Sequence, residues 1–199
     1  MIESVSVVHR GKVVNAVPTR YVEGRFDVPK DLEPFDATSV PRGEEREPFV
    51  MVDVVGYNSR RIADKVLSKV PMKGFDVWYL TGVRDIEDVF DSFMMDIDRL
   101  LVPCHLLSGQ DSLEEIFDVS EDCIPTIFAV KGMTGFSNSI MDIRKVMDVL
   151  LRVGFPEAIV FDTDSKVGNW DRFKGTGIET IPMVSKDSVP LGFDRAITY

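Results

Sequence analysis

The segment most informative about the fold is Phe75-Asp76-Val77-Trp78-Tyr79-Leu80-Thr81-Gly82-Val83-Arg84-Asp85-Ile86-Glu87-Asp88-Val89-Phe90. Its apolar start predicts a buried strand, and the acidic, periodic part after Arg84 predicts the first turn of a helix. Glycine lets the backbone turn tightly at Gly82, and the start of a helix presents unpaired N–H groups and a positive dipole end. The junction is therefore a candidate anion site.

Strand and helix patterns alternate along the rest of the chain. There are eight strand candidates, near residues 5, 50, 76, 99, 125, 157, 179 and 195. Helical spacing of apolar residues predicts helices over 59–70, 85–95, 112–119 and 139–153. This alternation predicts a parallel sheet covered by helices, and eight strands predict a compact (β/α)8 barrel with shortened or missing C-terminal helices. An open doubly wound sheet is the alternative if the weak terminal strands do not form.

The N-terminal part of the chain differs from this pattern. Residues 5–17 predict a hairpin around His9-Arg10-Gly11. Residues 18–48 carry many charges and the prolines Pro18, Pro29, Pro34, Pro41 and Pro48. They predict a long irregular loop that can act as a lid, because loops of this length in compact domains are usually functional or mobile.

The composition predicts one domain over residues 1–199. The chain is 44% hydrophobic, which is enough for one sizeable core, and its net charge of −10 disfavours nucleic acid and anionic membranes as partners. Two cysteines make no disulfide framework and the N-terminus lacks a signal-peptide pattern, so a cytoplasmic protein is expected. No Gly-rich nucleotide motif and no metal-ligand spacing occurs, so we expect no cofactor and no metal.

Candidate catalytic side chains lie at the ends of predicted strands. Asp53 ends the second strand, where barrel residues face the active mouth. Asp162 ends the sixth strand with Asp164 two residues later, and two close carboxylates can perform acid–base chemistry or bind a cation. His105 follows the fourth strand and can act as a general base. The structural alternatives are carboxylates that bond to neighbouring loops and a hydrogen-bonded structural histidine.

Several motifs resemble, in chain order, the histidine-biosynthesis phosphoribosyl isomerase and cyclase family, especially its archaeal isomerase-like branch. The segment Leu80–Asp88 is similar to the family's Gly-Gly-Val-Arg-x-x-Glu-Asp junction after the third strand. Ala129-Val130-Lys131-Gly132 is similar to its Asp-x-Lys-Gly after the fifth strand, and Val160–Gly168 to its sixth strand and loop. Gly11-Lys12-Val13-Val14 resembles its first hairpin.

The resemblance implies a (β/α)8 barrel with two phosphate sites on its top face. It implies phosphate contacts from Thr81, Gly82, Arg84, Lys131 and Gly168. Two departures concern the chemistry: Val7 and Ala129 occupy the positions of the family's acid and base aspartates, and neither can transfer a proton. Pro103 also replaces the phosphate-binding glycine after the fourth strand, which removes a backbone donor.

The sequence therefore predicts a barrel that recognises a phosphorylated sugar or nucleotide-like metabolite without the family's own isomerase reaction. If the protein is an enzyme, an isomerase of phosphoribosyl compounds is the closest class. Two alternatives stay open. One is a non-catalytic regulatory or partner-binding scaffold, for which a homo-oligomer is one arrangement. The other is a distinct metal- or carboxylate-assisted enzyme built around Asp162, Asp164 and His105.

Overall fold

The computed structural model describes residues 5–9, 12–14, 21–22, 24–27, 47–59, 75–137 and 139–198. Residues 60–70 of the helix predicted over 59–70, and most of the loop predicted over 18–48, lie outside these ranges. In chain order the strands are β1 (Val5–His9), β2 (Lys12–Val14), β3 (Tyr21–Val22), β4 (Arg25–Phe26), β5 (Glu47–Asp53), β6 (Phe75–Leu80), β7 (Arg99–Pro103), β8 (Cys123–Ala129), β9 (Met133–Phe136), β10 (Ser139–Asp142), β11 (Glu157–Asp162), β12 (Glu179–Val184) and β13 (Ile197–Thr198).

One nine-stranded sheet, in the order β13-β12-β11-β8-β7-β6-β5-β1-β2, organises the molecule. Seven parallel pairings run from β1 to β13, and β2 pairs antiparallel with β1 at one edge. Within the described ranges, all eight strand positions predicted from the sequence fall in or beside strands of this sheet. The remaining strands form two hairpins, β3–β4 and β9–β10.

The sheet is strongly curled. In a flat sheet, β6 and β13 would be five strand spacings apart, about 24 Å. Arg195, two residues before β13, nevertheless places its guanidinium carbon 6.0 Å from the ring centroid of Trp78 in β6. Side chains from β5 to β13 also share one inner core, which contains Val50, Val52, Trp78, Leu80, Leu101, Ile124, Phe128, Ile159, Phe161, Ile181, Met183 and Ile197. The prediction of a barrel-like α/β fold is confirmed, although the described residues show no pairing of β13 with β1 or β2 that would close the barrel.

Three of the four described α-helices cover the outer face of the curled sheet, and the first packs at the end of its inner core. In chain order they are α1 (Val54–Ser59), α2 (Ile86–Phe93), α3 (Gln110–Val119) and α4 (Ile143–Val153). The buried apolar residues of α2, α3 and α4 pack with Phe49, Met51 and Val77, which point to the opposite face of the sheet from the inner core. Val54 and Tyr57 of α1 belong instead to the inner core. After β11 and β12 the described residues contain the 3₁₀ turns Trp170–Phe173 and Lys186–Ser188 and no α-helix. No helix in the described ranges combines the length and apolar character needed to span a membrane.

Two segments adopt a different type of secondary structure from the one that the sequence predicts. The apolar run over 49–55 predicts a strand to its end, but Val54 and Val55 begin α1. The Asp53 carboxylate accepts a hydrogen bond from Gly56 N at 2.8 Å and so supports a helix start. Residues 139–142, predicted in a helix, pair with 133–136 as the β9–β10 hairpin. Helix α4 begins only after Asp142, whose carboxylate accepts a hydrogen bond from Arg144 N.

Charged groups gather at the amino end of the sheet. Glu157, at the start of β11, bonds to Arg99 at the start of β7 and to Arg195. Arg195 also donates from Nε to Glu179 Oε1 at 2.7 Å. Both guanidinium groups lie over the ring of Trp78, at 5.3 Å for Arg99 and 6.0 Å for Arg195. This cluster links strands that are not neighbours in the sheet and so ties the curled sheet together at its amino end.

Candidate functional site

A cavity of about 370 Å³ lies at the carboxyl ends of β7 and β8. Tyr21 and Gly24 of the β3–β4 hairpin line one side, and residues of the β9–β10 hairpin line another. His105, directly after β7, and Phe128, near the end of β8, form the part nearest the sheet. Ligands of barrel enzymes bind at this end of the strands, so the cavity is the candidate site.

Three side chains form a compact polar cluster beside this cavity. His105 Nε2 lies 2.5 Å from Tyr57 Oη and 3.1 Å from Tyr21 Oη. The two tyrosine oxygens are 2.9 Å apart. Phe128 packs against His105 and Tyr57, with ring centroids 4.6 Å and 5.6 Å away. This arrangement lets a proton be shared between an imidazole and two hydroxyl groups on an apolar support.

Each member of the cluster comes from a different segment: Tyr57 from α1, Tyr21 from β3 and His105 from the 3₁₀ turn after β7. Tyr57 lies on α1, which follows β5 without a linker. Asn58 joins α1 to the β3–β4 hairpin, since its Nδ2 donates to Phe26 O at 2.7 Å and its Oδ1 accepts from Phe26 N at 2.9 Å. Phe26 itself enters the inner core. The hairpin is therefore fastened over the end of the sheet, and it brings Tyr21 to His105.

Of the three predicted catalytic residues, only His105 lines the cavity. Asp53 is fully buried, and its carboxylate accepts hydrogen bonds from Gly56 N and Tyr79 Oη, each at 2.8 Å. Burial raises the pKa of the Asp53 carboxyl, and the two hydrogen bonds oppose that shift. Burial and the charge of Asp53 raise the pKa of Tyr79. Asp53 thus joins β5, β6 and α1.

The aspartates after β11 bond to the backbone of nearby loops. Asp162 is 5% exposed, and its carboxylate accepts from Lys166 N at 3.0 Å and from Val167 N at 3.3 Å. Burial raises the pKa of the Asp162 carboxyl, and these hydrogen bonds counteract it. Asp164 accepts from Lys131 N at 3.2 Å, which links the loops after β8 and β11. In the described part of the chain, no group of three or more His, Cys, Asp or Glu side chains could hold a metal ion.

The predicted phosphate-binding residues divide between two places. At the junction after β6, Thr81 and Gly82 are buried, and a Cβ atom added to Gly82 would lie 3.2 Å from Gly56 O and from Tyr57 O. Gly82 therefore permits the close approach of α1. The Arg84 guanidinium donates to both carboxylate oxygens of Asp88, at 2.8 Å and 3.0 Å, and hydrogen bonding to Asp88 raises the pKa of Arg84.

The other two predicted phosphate-binding residues lie in exposed loops. Lys131 is exposed between β8 and β9 with a φ of 53°. Gly168 is exposed after β11 with a φ of 71°. Neither residue lines the cavity. The structure therefore does not gather the predicted phosphate contacts around the cavity.

Sequence analysis missed Tyr21, Tyr57 and the β9–β10 hairpin. Tyr57 comes four residues after the end of β5, where barrel sites are expected, and this position was the available signal. Tyr21 belongs to the segment predicted as a functional loop, although nothing in that segment singles out this tyrosine.

Both cysteines are buried and reduced. Cys104 follows β7 at the carboxyl end of the sheet, and Cys123 begins β8 at the opposite end. Burial raises the pKa of each thiol to about 12. Neither is therefore suited to act as a nucleophile at neutral pH.

Comparison with known proteins assigns no family to this curled α/β sheet. No protein-family model matches the chain, and no curated protein is significantly similar to it. The resemblance to the histidine-biosynthesis isomerases and cyclases accordingly stays a prediction.

Proposed function

We propose that this protein is a (β/α)8-type barrel that binds a small organic metabolite in the cavity at the carboxyl ends of β7 and β8. We propose further that His105 transfers a proton to or from that metabolite. The observation that carries the proposal is the hydrogen-bonded cluster of His105, Tyr57 and Tyr21 beside a cavity of about 370 Å³.

The chemistry follows from the side chains in the cluster. Imidazole is the side chain best suited to accept and return protons near neutral pH. Tyrosine hydroxyls next to it can donate hydrogen bonds to an oxygen on which negative charge develops. Together these groups fit a reaction that removes a proton from one atom of the ligand and returns it to another, as an isomerase does. A phosphorylated ligand is the narrower form of the proposal that the family resemblance supports.

The test is proton exchange catalysed by the protein. A panel of small hydroxycarbonyl and cyclic carbonyl compounds, including sugar phosphates, is incubated with the protein in D2O, and ¹H NMR reports carbon-bound protons that exchange. We expect exchange in at least one compound. His105→Gln can keep a hydrogen bond to Tyr57 but cannot carry a proton, so we expect about a 100-fold or larger loss of rate.

Two variants complete the experiment. Tyr57→Phe removes one hydroxyl and should slow exchange while leaving ligand binding largely intact. Met94→Gln alters a side chain that is 86% exposed at the end of α2 and should change nothing. Exchange that persists in His105→Gln would contradict the catalytic role. Ligand binding without exchange in any compound would favour the scaffold function instead.

A further inference from the structure

The lining of the cavity indicates what class of ligand it accepts. Twelve described residues line it, and none of them is Asp, Glu, Lys or Arg. A phosphate group carries nearly two negative charges and is normally held by several charge-assisted hydrogen bonds. Placing it against this lining would leave most of that charge without a partner, at a large desolvation cost. The lining therefore fits the uncharged part of a ligand.

The walls of the cavity favour a flat ring. Phe128 has its ring centroid 5.0 Å from that of Tyr21 and 4.6 Å from that of His105. Phe136 and Met133 contribute further apolar surface from the β9–β10 hairpin. Aromatic and thioether side chains pack well against planar rings. A cavity of about 370 Å³ is at the small end for ligand sites, so a compound of one or two rings fits it.

Thr134 supplies a second, independent sign of a ligand. It lines the cavity and is 8% exposed, and its hydroxyl has no hydrogen-bond partner among the described residues. Buried polar groups are nearly always paired, so an unpaired hydroxyl at a cavity needs an explanation. A carbonyl oxygen or ring nitrogen of a bound compound would provide the missing partner after rotation of the threonine side chain.

We infer that the cavity binds an uncharged one- or two-ring compound that bears a polar ring atom or carbonyl, with Thr134 as a residue that determines specificity. This inference rests on the proposed function, because it concerns the same cavity. It departs from the phosphorylated form of that proposal, because the described lining offers no Lys or Arg to a phosphate group.

The experiment uses methyl groups of methionine as local reporters. Protein labelled with [methyl-¹³C]methionine is titrated with uracil, hypoxanthine and nicotinamide, and separately with ribose 5-phosphate and inorganic phosphate. Met133 lines the cavity, whereas Met94 lies at the end of α2 and serves as the reporter away from it. We expect at least one neutral ring to shift the Met133 methyl resonance without shifting that of Met94, and we expect neither phosphate to do so.

A pair of matched variants tests Thr134. Thr134→Val keeps the shape but removes the hydroxyl, so we expect at least a fivefold weaker affinity for the neutral ring and an unchanged or higher melting temperature. Thr180→Val is the control, because Thr180 in β12 also has a buried hydroxyl without a partner in the described structure but does not line the cavity. It should leave ring affinity unchanged.

The outcomes separate this inference from the proposed function. If only the phosphates shift Met133, the cavity is a ligand site but the neutral-ring inference is wrong. If no neutral ring shifts Met133, the inference is also wrong. If Thr134→Val binds the ring as the wild type does, the assignment of Thr134 is overturned. Failure of the proposed function is recognised separately, by proton exchange that does not depend on His105.

Discussion

The Asp53 carboxylate connects two elements that approach the candidate site. It accepts hydrogen bonds from Gly56 N in α1 and from Tyr79 Oη in β6, and it is fully buried. Tyr57, which bonds to His105, is the next residue after Gly56. The position of one buried carboxylate thus affects where the cluster of His105, Tyr57 and Tyr21 lies, although Asp53 does not line the cavity.

Replacement of Asp53 by Asn and by Ala should have different effects. Asn can still accept from Gly56 N and can donate to Tyr79 Oη, so we expect little loss of stability at neutral pH. Ala leaves two buried donors unpaired and should lower the free energy of unfolding by about 1–3 kcal/mol or more. Urea unfolding of wild type and both variants measures the change in the free energy of unfolding. Equal losses in Asn and Ala would show that the hydrogen bonds of Asp53 contribute little.

The pH dependence of stability gives a second prediction for Asp53. Burial raises its pKa in the folded state, so the folded protein binds the proton more tightly than the unfolded chain. The tighter binding of this proton stabilises the folded protein. That stabilisation is fully present below the pKa that Asp53 has in the unfolded chain, and it is lost as the pH rises through the pKa of Asp53 in the folded protein. Asp53→Asn should gain stability relative to wild type over this range. Urea unfolding of wild type and Asp53→Asn at a series of pH values tests this prediction. A difference in the free energy of unfolding that stays constant with pH would contradict it.

The β9–β10 hairpin forms one wall of the cavity, and its geometry depends on Gly135. A Cβ atom at Gly135 would lie 1.7 Å from the carbonyl oxygen of Ser139. Gly135→Ala should therefore separate the two strands, lower the melting temperature and abolish ring binding. Gly109→Ala is the control, because nothing lies within 4 Å of its added Cβ. The same ring affinity in Gly135→Ala and wild type would show that the hairpin does not shape the site.

The start of α2 determines whether the junction after β6 can hold phosphate. Asp88 accepts from Arg84 N, Nε and Nη2, so a bound anion must compete with this carboxylate. We expect inorganic phosphate to stabilise Asp88→Asn more than the wild type in thermal melting, because Asn frees the guanidinium. Arg84→Ala should remove whatever stabilisation the wild type shows. A large effect in wild type that Arg84→Ala retains would place phosphate elsewhere.

At the scale of the whole molecule, the cluster around Glu157 should stabilise the curled sheet. Glu157→Gln leaves Arg99 and Arg195 close together with Glu179 as the remaining described carboxylate bonded to Arg195, and we expect a loss of about 1–3 kcal/mol in the free energy of unfolding. Asp171→Asn disrupts only an exposed pair with Lys174 and should cost about 0–1 kcal/mol. Urea unfolding at low and high salt checks both variants. Similar effects in the two would mean that the cluster is no more than a surface ion pair.

The strands could be predicted from the sequence because their apolar runs are local. Cys123–Ala129 is apolar apart from Thr126, and Glu157–Asp162 contains the apolar run Ala158–Phe161. The order of these strands along the chain matches their order in the sheet. The sequence predicts a helix through residues 139–142 because the apolar spacing of α4 extends through them, whereas their pairing with β9 leaves no local pattern. The sequence singles out His105 but does not predict its contact with Tyr57, since the two residues are 48 positions apart and meet because β5 and β7 end close together at one end of the sheet.

The two buried cysteines can report local opening of the sheet through their reaction with thiol reagents. Cys104 and Cys123 lie at opposite ends of neighbouring strands, and each must become exposed before a thiol reagent can modify it. Their labelling rates under native conditions therefore measure how often each end of the sheet opens. A ligand held in the cavity should slow modification of Cys104, next to His105, more than that of Cys123. Mass spectrometry of the labelled peptides would then reveal ligand occupancy without any assay of turnover.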